Sequence, residues 1–304
     1  MHTKKDMANL KTPLRYPGGK SRATKKMAQF LPDMQRYKHY REPFLGGGSV
    51  ALYMTQTYPH LEIHVNDLYE HLYNFWTQLQ DKGDEIAKQL TVLKKKYDTQ
   101  DRARHLFAES KEYLAQRQTT AFHRAVSFYI INKCSFSGLT ESSSFSAQAS
   151  DSNFSLRGID KLPEYQELIQ NWKITNESYE NLLTDSSDTF VYMDPPYDIK
   201  SKIYGKRGEM HKTFDHDKFA GDCDGHTSHM MISYNSSQIN KNRFTDWNAF
   251  EFDLTYTMRS TGDYLKDQSK RKELLLTNYG LQHGIPTQGL FEFDQSDQGI
   301  PSAA

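Results

Sequence analysis

The sequence predicts an α/β fold: a mostly parallel sheet with a terminal antiparallel strand, plus a helical insertion. Short apolar strand candidates alternate with helical patterns in both halves of the chain, as expected of a parallel sheet. Helical and loop patterns interrupt this alternation over residues 81–159. Two late strand candidates, Phe250–Thr257 and Leu274–Tyr279, are expected to close the sheet as an antiparallel pair.

The first part of the chain has the pattern strand, turn, helix, strand, helix. Arg41–Leu45 is the first strand candidate, and the apolar run Val50–Met54 after the glycines starts a helix. Leu61–Val65 alternates apolar and polar residues as a strand does. In Leu68–Leu79 the apolar residues recur at helical spacing. This order is the opening of a parallel sheet.

The insertion begins where this rhythm stops. Three helical stripes are predicted, at Ile86–Tyr97, Arg102–Gln116 and Phe122–Ile130, and the serine-rich segment Ser135–Ser155 reads as a loop or hairpin. We therefore expect residues 81–159 to form a helical recognition domain inside a catalytic domain of residues 10–80 and 160–280. Residues 281–304 have little periodicity and are expected to be a poorly ordered tail.

The α/β pattern then returns. Trp172–Thr175 is a short strand candidate, and Ser178–Leu183 a short helix. Thr189–Met193 is an apolar strand that must end before the two prolines that follow. Met230–Tyr234 is a further strand candidate. The second half of the chain therefore adds strands to the same sheet.

Composition limits the classes of protein. The 304 residues carry 38 basic and 38 acidic side chains, so net charge alone predicts no partner. Residues 1–41 are locally basic, with Asp6 and Asp33 as their two acidic residues, and such a face suits a phosphate backbone or a solvated helix. No apolar run approaches the roughly 20 residues that span a bilayer. Cys134 and Cys223 lie too far apart in sequence to suggest a disulfide framework. We expect a soluble intracellular protein.

The glycine run Gly46–Gly48 lies between a strand and a helix, where it lets a ligand approach the main chain. Asp67 ends the next strand about 20 residues later, the offset of an acidic residue that binds ribose hydroxyls. An ordinary turn would explain the glycines alone. Neither the P-loop pattern nor the Gly-x-Gly-x-x-Gly pattern is present. Together the glycines and Asp67 indicate a nucleoside-cofactor site.

The run Asp194-Pro195-Pro196-Tyr197 follows the strand Thr189–Met193 directly. A strand that ends in a Pro-Pro turn would explain the prolines, but not the carboxylate and aromatic ring beside them. A carboxylate and a carbonyl held by rigid prolines can accept both hydrogens of an exocyclic amine and direct its lone pair at an electrophilic methyl. An aromatic ring can stack on a base that has left the duplex. The run therefore predicts an amine methyltransferase.

With these motifs in order, the chain resembles the Dam-like (D12 class) DNA adenine-N6 methyltransferases. The main matching blocks are Leu14–Lys20, Glu42–Val50 and Asp194–Tyr197. The smaller ones are Asn132–Gly138, Met231–Asn235 and Lys270–Leu275. The resemblance implies a Rossmann-like sheet, S-adenosylmethionine as cofactor, and methyl transfer to N6 of a flipped-out adenine in double-stranded DNA.

The resemblance also implies a role for each matching residue. The catalytic set is Asp194, Pro195, Pro196 and Tyr197. The cofactor set is Tyr16, Lys20, Phe44, Gly46, Gly48, Asp67 and Asp194, with Lys20 paired to the cofactor carboxylate. The DNA-binding set is Asn132, Lys133, Ser137, Lys270 and Arg271. Lys133 replaces an arginine of the GATC-methylating members, and Thr140–Ser144 differs from their recognition loop, so the resemblance implies the reaction and not GATC as the site.

No metal site is predicted. Histidines and acids cluster around Cys223, but their spacing matches no zinc pattern, and an acidic helix and loop before a strand is the better interpretation. The cluster consists of His211, His216, Cys223, His226 and His229.

Three alternatives to adenine-N6 methylation of DNA remain open at this point. They are cytosine-N4 methylation, an RNA substrate, and a non-catalytic DNA-binding relative. A partner restriction endonuclease and an orphan or viral enzyme are equally compatible with the sequence. We expect the protein in the cytoplasm of a bacterial or virus-infected cell, associated with DNA and not with a membrane.

Overall fold

A computed structural model describes residues 10–16, 18–116, 118–136, 143–197, 214–253 and 272–280. The strands there are β1 (His39–Glu42), β2 (Glu62–Asn66), β3 (Lys173–Thr175), β4 (Thr189–Met193), β5 (His229–Asn235), β6 (Asn248–Asp253) and β7 (Lys272–Thr277). The α-helices there are α1 (Thr24–Met27), α2 (Ser49–Thr57), α3 (Glu70–Lys96), α4 (Gln100–Ala115), α5 (Ala121–Cys134), α6 (Ala147–Ser152), α7 (Leu156–Ile159), α8 (Leu162–Leu168), α9 (His216–Asp224) and α10 (Gln238–Arg243).

The described strands form one sheet in the order β3-β2-β1-β4-β5-β7-β6. Strands β1 to β5 are parallel, and β7 runs antiparallel to both β5 and β6. The predicted sheet, mostly parallel with a late antiparallel strand, is confirmed, although β7 lies between β5 and β6 rather than at the edge. Strand order reverses between β1 and β4. In open α/β sheets, ligands bind beyond the carboxyl ends of the strands at such a switch point.

Side-chain alternation along the sheet builds a core on each of its faces. On β4, Phe190 and Tyr192 pack into one cluster, whereas Val191 and Met193 pack into the other. All five residues of β4 are buried because both faces are covered, as is typical of parallel strands. Helix α9 contributes Phe219 to the second cluster. The two cores hold the sheet in position, and with it the carboxyl ends of the strands.

Most predicted elements are confirmed, with shifts at their ends. The strand predicted at Arg41–Leu45 is β1, which ends earlier because the glycine turn begins after Glu42. The two stripes predicted at Leu68–Leu79 and Ile86–Tyr97 belong to the single helix α3, which is kinked at Lys82. Leu68 was wrongly assigned to the apolar face of that helix, since it precedes α3 and is 63% exposed.

The predicted insertion is built on α3, α4 and α5. Phe75 of α3 stacks on Tyr129 of α5 with ring centroids 6.1 Å apart. The apolar core of these helices belongs to the same cluster as one face of the sheet. Helix α3 also continues across the proposed boundary at residues 80/81. The domain limits therefore stay a prediction. In the part of the chain that the structure describes, no helix is long and apolar enough to cross a membrane.

Candidate active site

The glycine loop follows β1 at the switch point, and its glycines are required by space and backbone geometry. Gly46 and Gly48 have φ angles of 51° and 68°, in the left-handed region that disfavours other residues. A Cβ atom on Gly48 would lie 2.7 Å from the ring of Trp76. The indole Nε1 of Trp76 donates to the Gly46 carbonyl at 3.1 Å. A buried tryptophan of α3 therefore holds the loop close to the helix.

The carboxylate of Asp67 shapes the same loop from the end of β2. It accepts the Gly46 N–H at 2.8 Å and the Tyr69 N–H at 3.0 Å, one on each oxygen. Burial raises the pKa of Asp67 to about 6, while these two N–H groups oppose the rise. Each carboxylate oxygen has capacity for a second donor. Asp67 can therefore hold the loop and still receive a ligand hydroxyl.

Asn66, beside Asp67, is a site residue that the sequence analysis missed. Its buried amide donates to the carbonyls of Pro43 and Glu177, both at 3.0 Å. Its oxygen accepts from the Thr175 hydroxyl at 2.9 Å and from the Glu177 N–H at 2.8 Å. One side chain thus ties together the ends of β1, β2 and β3. An asparagine in a buried strand end was the available signal, because such an amide must find partners.

The N-terminal segment covers the glycine loop. The ring of Tyr16 lies so close to Gly46 that an added Cβ would approach it to 3.0 Å. The Thr12 hydroxyl donates to the Gly47 carbonyl at 2.5 Å. The Gly19 N–H returns to the Tyr16 carbonyl at 3.0 Å and closes a turn that leads to Lys20. The predicted cofactor residues Tyr16 and Gly46 are therefore in contact.

Asp194 lies at the carboxyl end of β4, across the switch point from this loop. The Lys20 ammonium contacts both of its oxygens, at 2.7 and 2.8 Å. The Ser233 hydroxyl of β5 donates to Oδ1 at 2.8 Å and also contacts the Tyr192 hydroxyl at 2.8 Å. The Asp194 side chain is 22% exposed, whereas Lys20 is 3% exposed. The predicted pairing of Lys20 with a cofactor carboxylate stays a prediction, since here Lys20 pairs with Asp194.

Tyr197 and Glu273 complete this polar cluster. The Tyr197 hydroxyl accepts from Lys20 Nζ at 2.8 Å and donates to Glu273 Oε1. Lys20 Nζ lies 3.2 Å from Glu273 Oε1, and the Glu273 side chain is 2% exposed. The sequence analysis missed Glu273. Its signal was a lone acid at the start of the apolar run Leu274–Leu276, since buried acids require partners.

The electrostatics of the cluster are set by burial and by unequal charge. Burial raises the pKa of Asp194, Lys20 opposes the rise, and the nearby Glu273 charge adds to it. Glu42, at the end of β1, is also buried and its pKa is raised well above the ordinary value, while a Tyr40 hydroxyl bond at 2.5 Å opposes the rise. Asp194 and Glu273 therefore share the Lys20 ammonium, while the raised pKa of Glu42 favours its neutral form.

Phe44, which follows β1, lies in an aromatic group that packs against the second core cluster. Its ring centroid is 5.6 Å from that of Tyr179, 5.8 Å from Phe214 and 5.9 Å from Phe219. Phe44 is half-buried, so part of its ring remains accessible. The predicted cofactor residues thus include aromatic rings on two different segments, Tyr16 and Phe44.

The predicted DNA-binding residues have different positions. Asn132 is fully buried and bonds the Arg15 backbone twice, accepting its N–H at 2.9 Å and donating to its carbonyl at 2.7 Å. Lys133 Nζ lies 5.3 Å from the Tyr129 ring centroid, and burial together with the Arg15 charge lowers its pKa to about 8. Ser137, Lys270 and Arg271 lie outside the described residues. A DNA-binding role for all five stays a prediction.

The base of the predicted hairpin is held by basic and aromatic side chains. Ser135 and Phe145 form an antiparallel bridge, and the Phe136 N–H donates to the Ser144 carbonyl at 3.1 Å. The Arg104 guanidinium lies 4.9 Å from the Phe145 ring centroid. Lys111 Nζ donates to the Ser143 carbonyl at 3.0 Å. Two cations of α4 are therefore used to fix this segment.

The histidines near Cys223 have partners within the fold. His216 Nδ1 contacts the Tyr234 hydroxyl at 2.8 Å, and His229 Nδ1 contacts the Tyr37 hydroxyl at 2.5 Å. The described residues contain no group of three or more histidine, cysteine or acidic side chains that could hold a metal ion. His211 lies outside them.

Comparison with known proteins was made on this geometry. The family model for the D12 class N6 adenine-specific DNA methyltransferases matches residues 16–258. The chain is 23% identical over 300 residues to the type II methyltransferase M1.LlaDCHI of Lactococcus lactis subsp. cremoris, covering 91% of this chain and 98% of the relative. It is 24% identical over 288 residues to the type II methyltransferase M.MjaIII of Methanocaldococcus jannaschii, covering 88% and 98%. The family match covers β1 to β6 and the insertion.

Proposed function

The chain belongs to the D12 class of N6 adenine-specific DNA methyltransferases, and we propose that its catalysis is carried by Asp194 at the β1–β4 switch point, with S-adenosylmethionine bound beside it. The observation that carries this proposal is the position of Asp194 at the end of β4, across from the glycine loop. Lys20 joins the two sides, because its segment covers the loop and its ammonium contacts Asp194.

The region between the glycine loop and Asp194 has the features that a nucleoside cofactor needs. The left-handed glycines expose the main chain, and Asp67 has oxygen lone pairs for ribose hydroxyls. Tyr16 and Phe44 offer aromatic surface on either side. When bound, S-adenosylmethionine supplies an electrophilic methyl group on a positively charged sulfur. The Asp194 carboxylate at this edge of the sheet suits that charge.

The protein's own contribution is to position and polarise the adenine amine. Asp194 accepts one amine hydrogen and the Pro195 carbonyl accepts the other, which frees the nitrogen lone pair for attack. With the cofactor bound, N6 would attack its methyl group, the sulfur would leave as neutral S-adenosylhomocysteine, and the proton lost from N6 would pass by way of Asp194 to solvent. The ring of Tyr197 stacks on the flipped base, whose extrusion costs unstacking energy. Rigid prolines keep the two acceptors in place without further ordering.

For the partners we infer double-stranded DNA, read by the insertion of residues 81–159 and its hairpin. The relatives are named as type II methyltransferases, and a partner restriction endonuclease and an orphan or viral enzyme are both compatible with this chain. For its location we infer the cytoplasm of a bacterial or virus-infected cell, where the enzyme associates with DNA.

The decisive experiment is expression in a bacterial host that lacks DNA methylation, followed by single-molecule sequencing of its DNA. N6-methyladenine at one recurrent motif is expected, and that result also gives the recognition sequence. Digestion of the same DNA to nucleosides separates N6-methyladenine from N4-methylcytosine. Modified cytosine, or no modified base from a folded enzyme that binds S-adenosylmethionine, contradicts the proposal.

A further inference from the structure

Glu273 is the buried acid of this site for which the proposed mechanism has no role. It lies on the antiparallel strand β7, paired in register with Asn235 of β5 and Phe252 of β6. Its side chain is 2% exposed and contacts Lys20 and Tyr197. A carboxylate is costly to bury unless its partners compensate, so its place beside the catalytic residues requires an explanation.

Lys20 is shared among more acceptors than it has hydrogens. Its three N–H groups face both oxygens of Asp194, the Gly18 carbonyl, the Tyr197 hydroxyl and Glu273. The contacts with Asp194, at 2.7 and 2.8 Å, are shorter than the contact with Glu273, at 3.2 Å. Of these two carboxylates, Asp194 is therefore the closer partner of the ammonium.

Methyl transfer needs those same Asp194 oxygens. The amine of the target adenine needs an acceptor position on Asp194, where Oδ1 already accepts from Lys20 and Ser233 and Oδ2 accepts from Lys20. A buried ammonium that moves away from Asp194 to make room needs another carboxylate close by. Glu273 removes this difficulty, because it lies within 3.2 Å of Lys20 Nζ on the other side.

The same carboxylate restrains Tyr197. Its oxygen accepts the Tyr197 hydroxyl hydrogen, while Lys20 Nζ lies 4.9 Å from the centre of the Tyr197 ring. The ring that is proposed to stack on the base is thus held from its hydroxyl end by a residue of the buried sheet. A ring held in this way loses less freedom when the base arrives.

We propose that Glu273 is a positioning residue for methyl transfer: it receives Lys20 when the adenine amine takes Lys20's place on Asp194, and it holds the Tyr197 hydroxyl throughout. This inference rests on the proposed function of Asp194. It assigns Glu273 no contact with the reacting atoms.

The test compares Glu273→Gln with the wild-type enzyme in single-turnover methyl transfer, with methyl-labelled S-adenosylmethionine and unmethylated genomic DNA. Loss of a charged hydrogen-bond acceptor predicts a rate constant lower by roughly 10- to 100-fold. The affinity for DNA should change by less than about threefold, since the insertion is untouched. The amplitude of the turnover reports the folded fraction separately from the rate constant.

Glu251→Gln is the matched control. Glu251 lies on the adjacent strand β6 and makes an ion pair of 2.7 Å with Lys241 at the protein surface. The same chemical change there should leave the transfer rate within about twofold, because surface ion pairs contribute little. A rate loss in both variants of equal size contradicts a positioning role for Glu273.

The pH dependence of the rate is a readout that a purely structural role would not move. The polar groups around Asp194 in the described residues are Lys20, Glu273, Ser233, Tyr192, Tyr197 and Glu42. The Glu273 charge raises the pKa of Asp194, so Glu273→Gln should lower it and move the acid limb of the rate profile to lower pH. Glu273→Asp, which keeps the charge but shortens the reach, should lower the rate without moving that limb.

The results separate the two proposals. A wild-type enzyme that transfers no methyl group overturns the proposed function. An active wild-type enzyme with a Glu273→Gln variant of equal rate constant and equal acid limb overturns the role of Glu273 alone. A folded Glu273→Gln variant that is slow and shifted supports it.

Discussion

The edge of the sheet that carries the proposed active site and the helical insertion are built in different ways. At the edge, side chains far apart in sequence meet in pairs: Lys20 contacts Asp194, and Tyr197 contacts Glu273. In the insertion, α5 packs on both α3 and α4 through apolar side chains. The edge thus depends on hydrogen bonds and ion pairs between strand ends, and the insertion on apolar helix packing.

This difference separates the proposed catalytic site from the proposed recognition region. The polar groups of the edge are held by buried strands, so a substitution there has few ways to be accommodated. Arg104 and Lys111 of α4 hold the hairpin base. Arg104 is exposed and Lys111 is half-buried. Recognition residues can therefore vary without moving Asp194. Asn132 of α5 connects the insertion to Arg15, in the N-terminal segment that covers the glycine loop. Variants of Asn132 can therefore be compared with variants of either region.

Asp194→Ala should have the largest effect and should be confined to the catalytic edge. Loss of a single polarising group is expected to slow methyl transfer by about a thousandfold or more. DNA binding should change little, because the insertion keeps its packing. Single-turnover kinetics and DNA titration of the same folded variant measure the two effects. Substantial residual methyl transfer would contradict the proposed catalytic role of Asp194.

Asn132→Ala should affect both regions because it breaks their joint. It leaves the Arg15 N–H and carbonyl without the Asn132 partner, which is expected to lower the free energy of unfolding by about 1–3 kcal/mol. Chemical denaturation measures this change. Asn242→Ala, at an exposed position of α10, is the control and should stay within about 0.5 kcal/mol. Equal stabilities of the two variants would show that the joint does not stabilise the fold.

The affinity for the cofactor should depend on pH because Asp67 titrates. DNA binding should not depend on this titration. The pKa of Asp67 is raised to about 6 in the free protein, so the carboxylate becomes protonated below that pH and loses acceptor strength for ribose hydroxyls. Affinity for S-adenosylmethionine should fall about tenfold between pH 7 and pH 5. Calorimetric titration measures it. Asp67→Asn should bind weakly with no such slope, and a slope retained in this variant would assign the titration to another group.

Lys111→Met should have the smallest effect and should be confined to recognition. Loss of one hydrogen bond to the Ser143 carbonyl is expected to weaken DNA binding by less than about fivefold, with the transfer rate at saturating DNA unchanged. Salt dependence identifies the cause. If Lys111 only fixes the hairpin, the slope of log affinity against log salt is unchanged. A slope smaller by about one would mean that Lys111 contacts a phosphate.

The sequence predicted the elements where local pattern and burial agree. The predicted strand Thr189–Met193 matches β4 residue for residue. A short apolar run favours a buried strand, and the two prolines after Asp194 fix where it ends. The predicted antiparallel pair near the C-terminus is confirmed in β6 and β7. The predicted helix at Leu68–Leu79 gave no sign that it would join the next stripe in α3. Periodicity cannot show whether a kinked helix continues through Lys82.

The site was predictable to the extent that its residues form contiguous motifs. Gly46–Gly48, Asp67 and Asp194–Tyr197 were all identified, and the structure places them around one switch point. Asn66, Ser233 and Glu273 were missed as site residues. Each of them lies in a strand and bonds to partners far away in sequence, so no local spacing marks it.

The sequence by itself determined the fold class, the family and the residues of the chemical motifs, since backbone restrictions and side-chain chemistry act locally. Only the tertiary structure decided which partner each motif has. Lys20, predicted to pair with the cofactor, lies on Asp194, and Asn132, predicted to bind DNA, holds Arg15. Those pairings arise when the sheet brings distant strand ends together and buried polar groups must find partners.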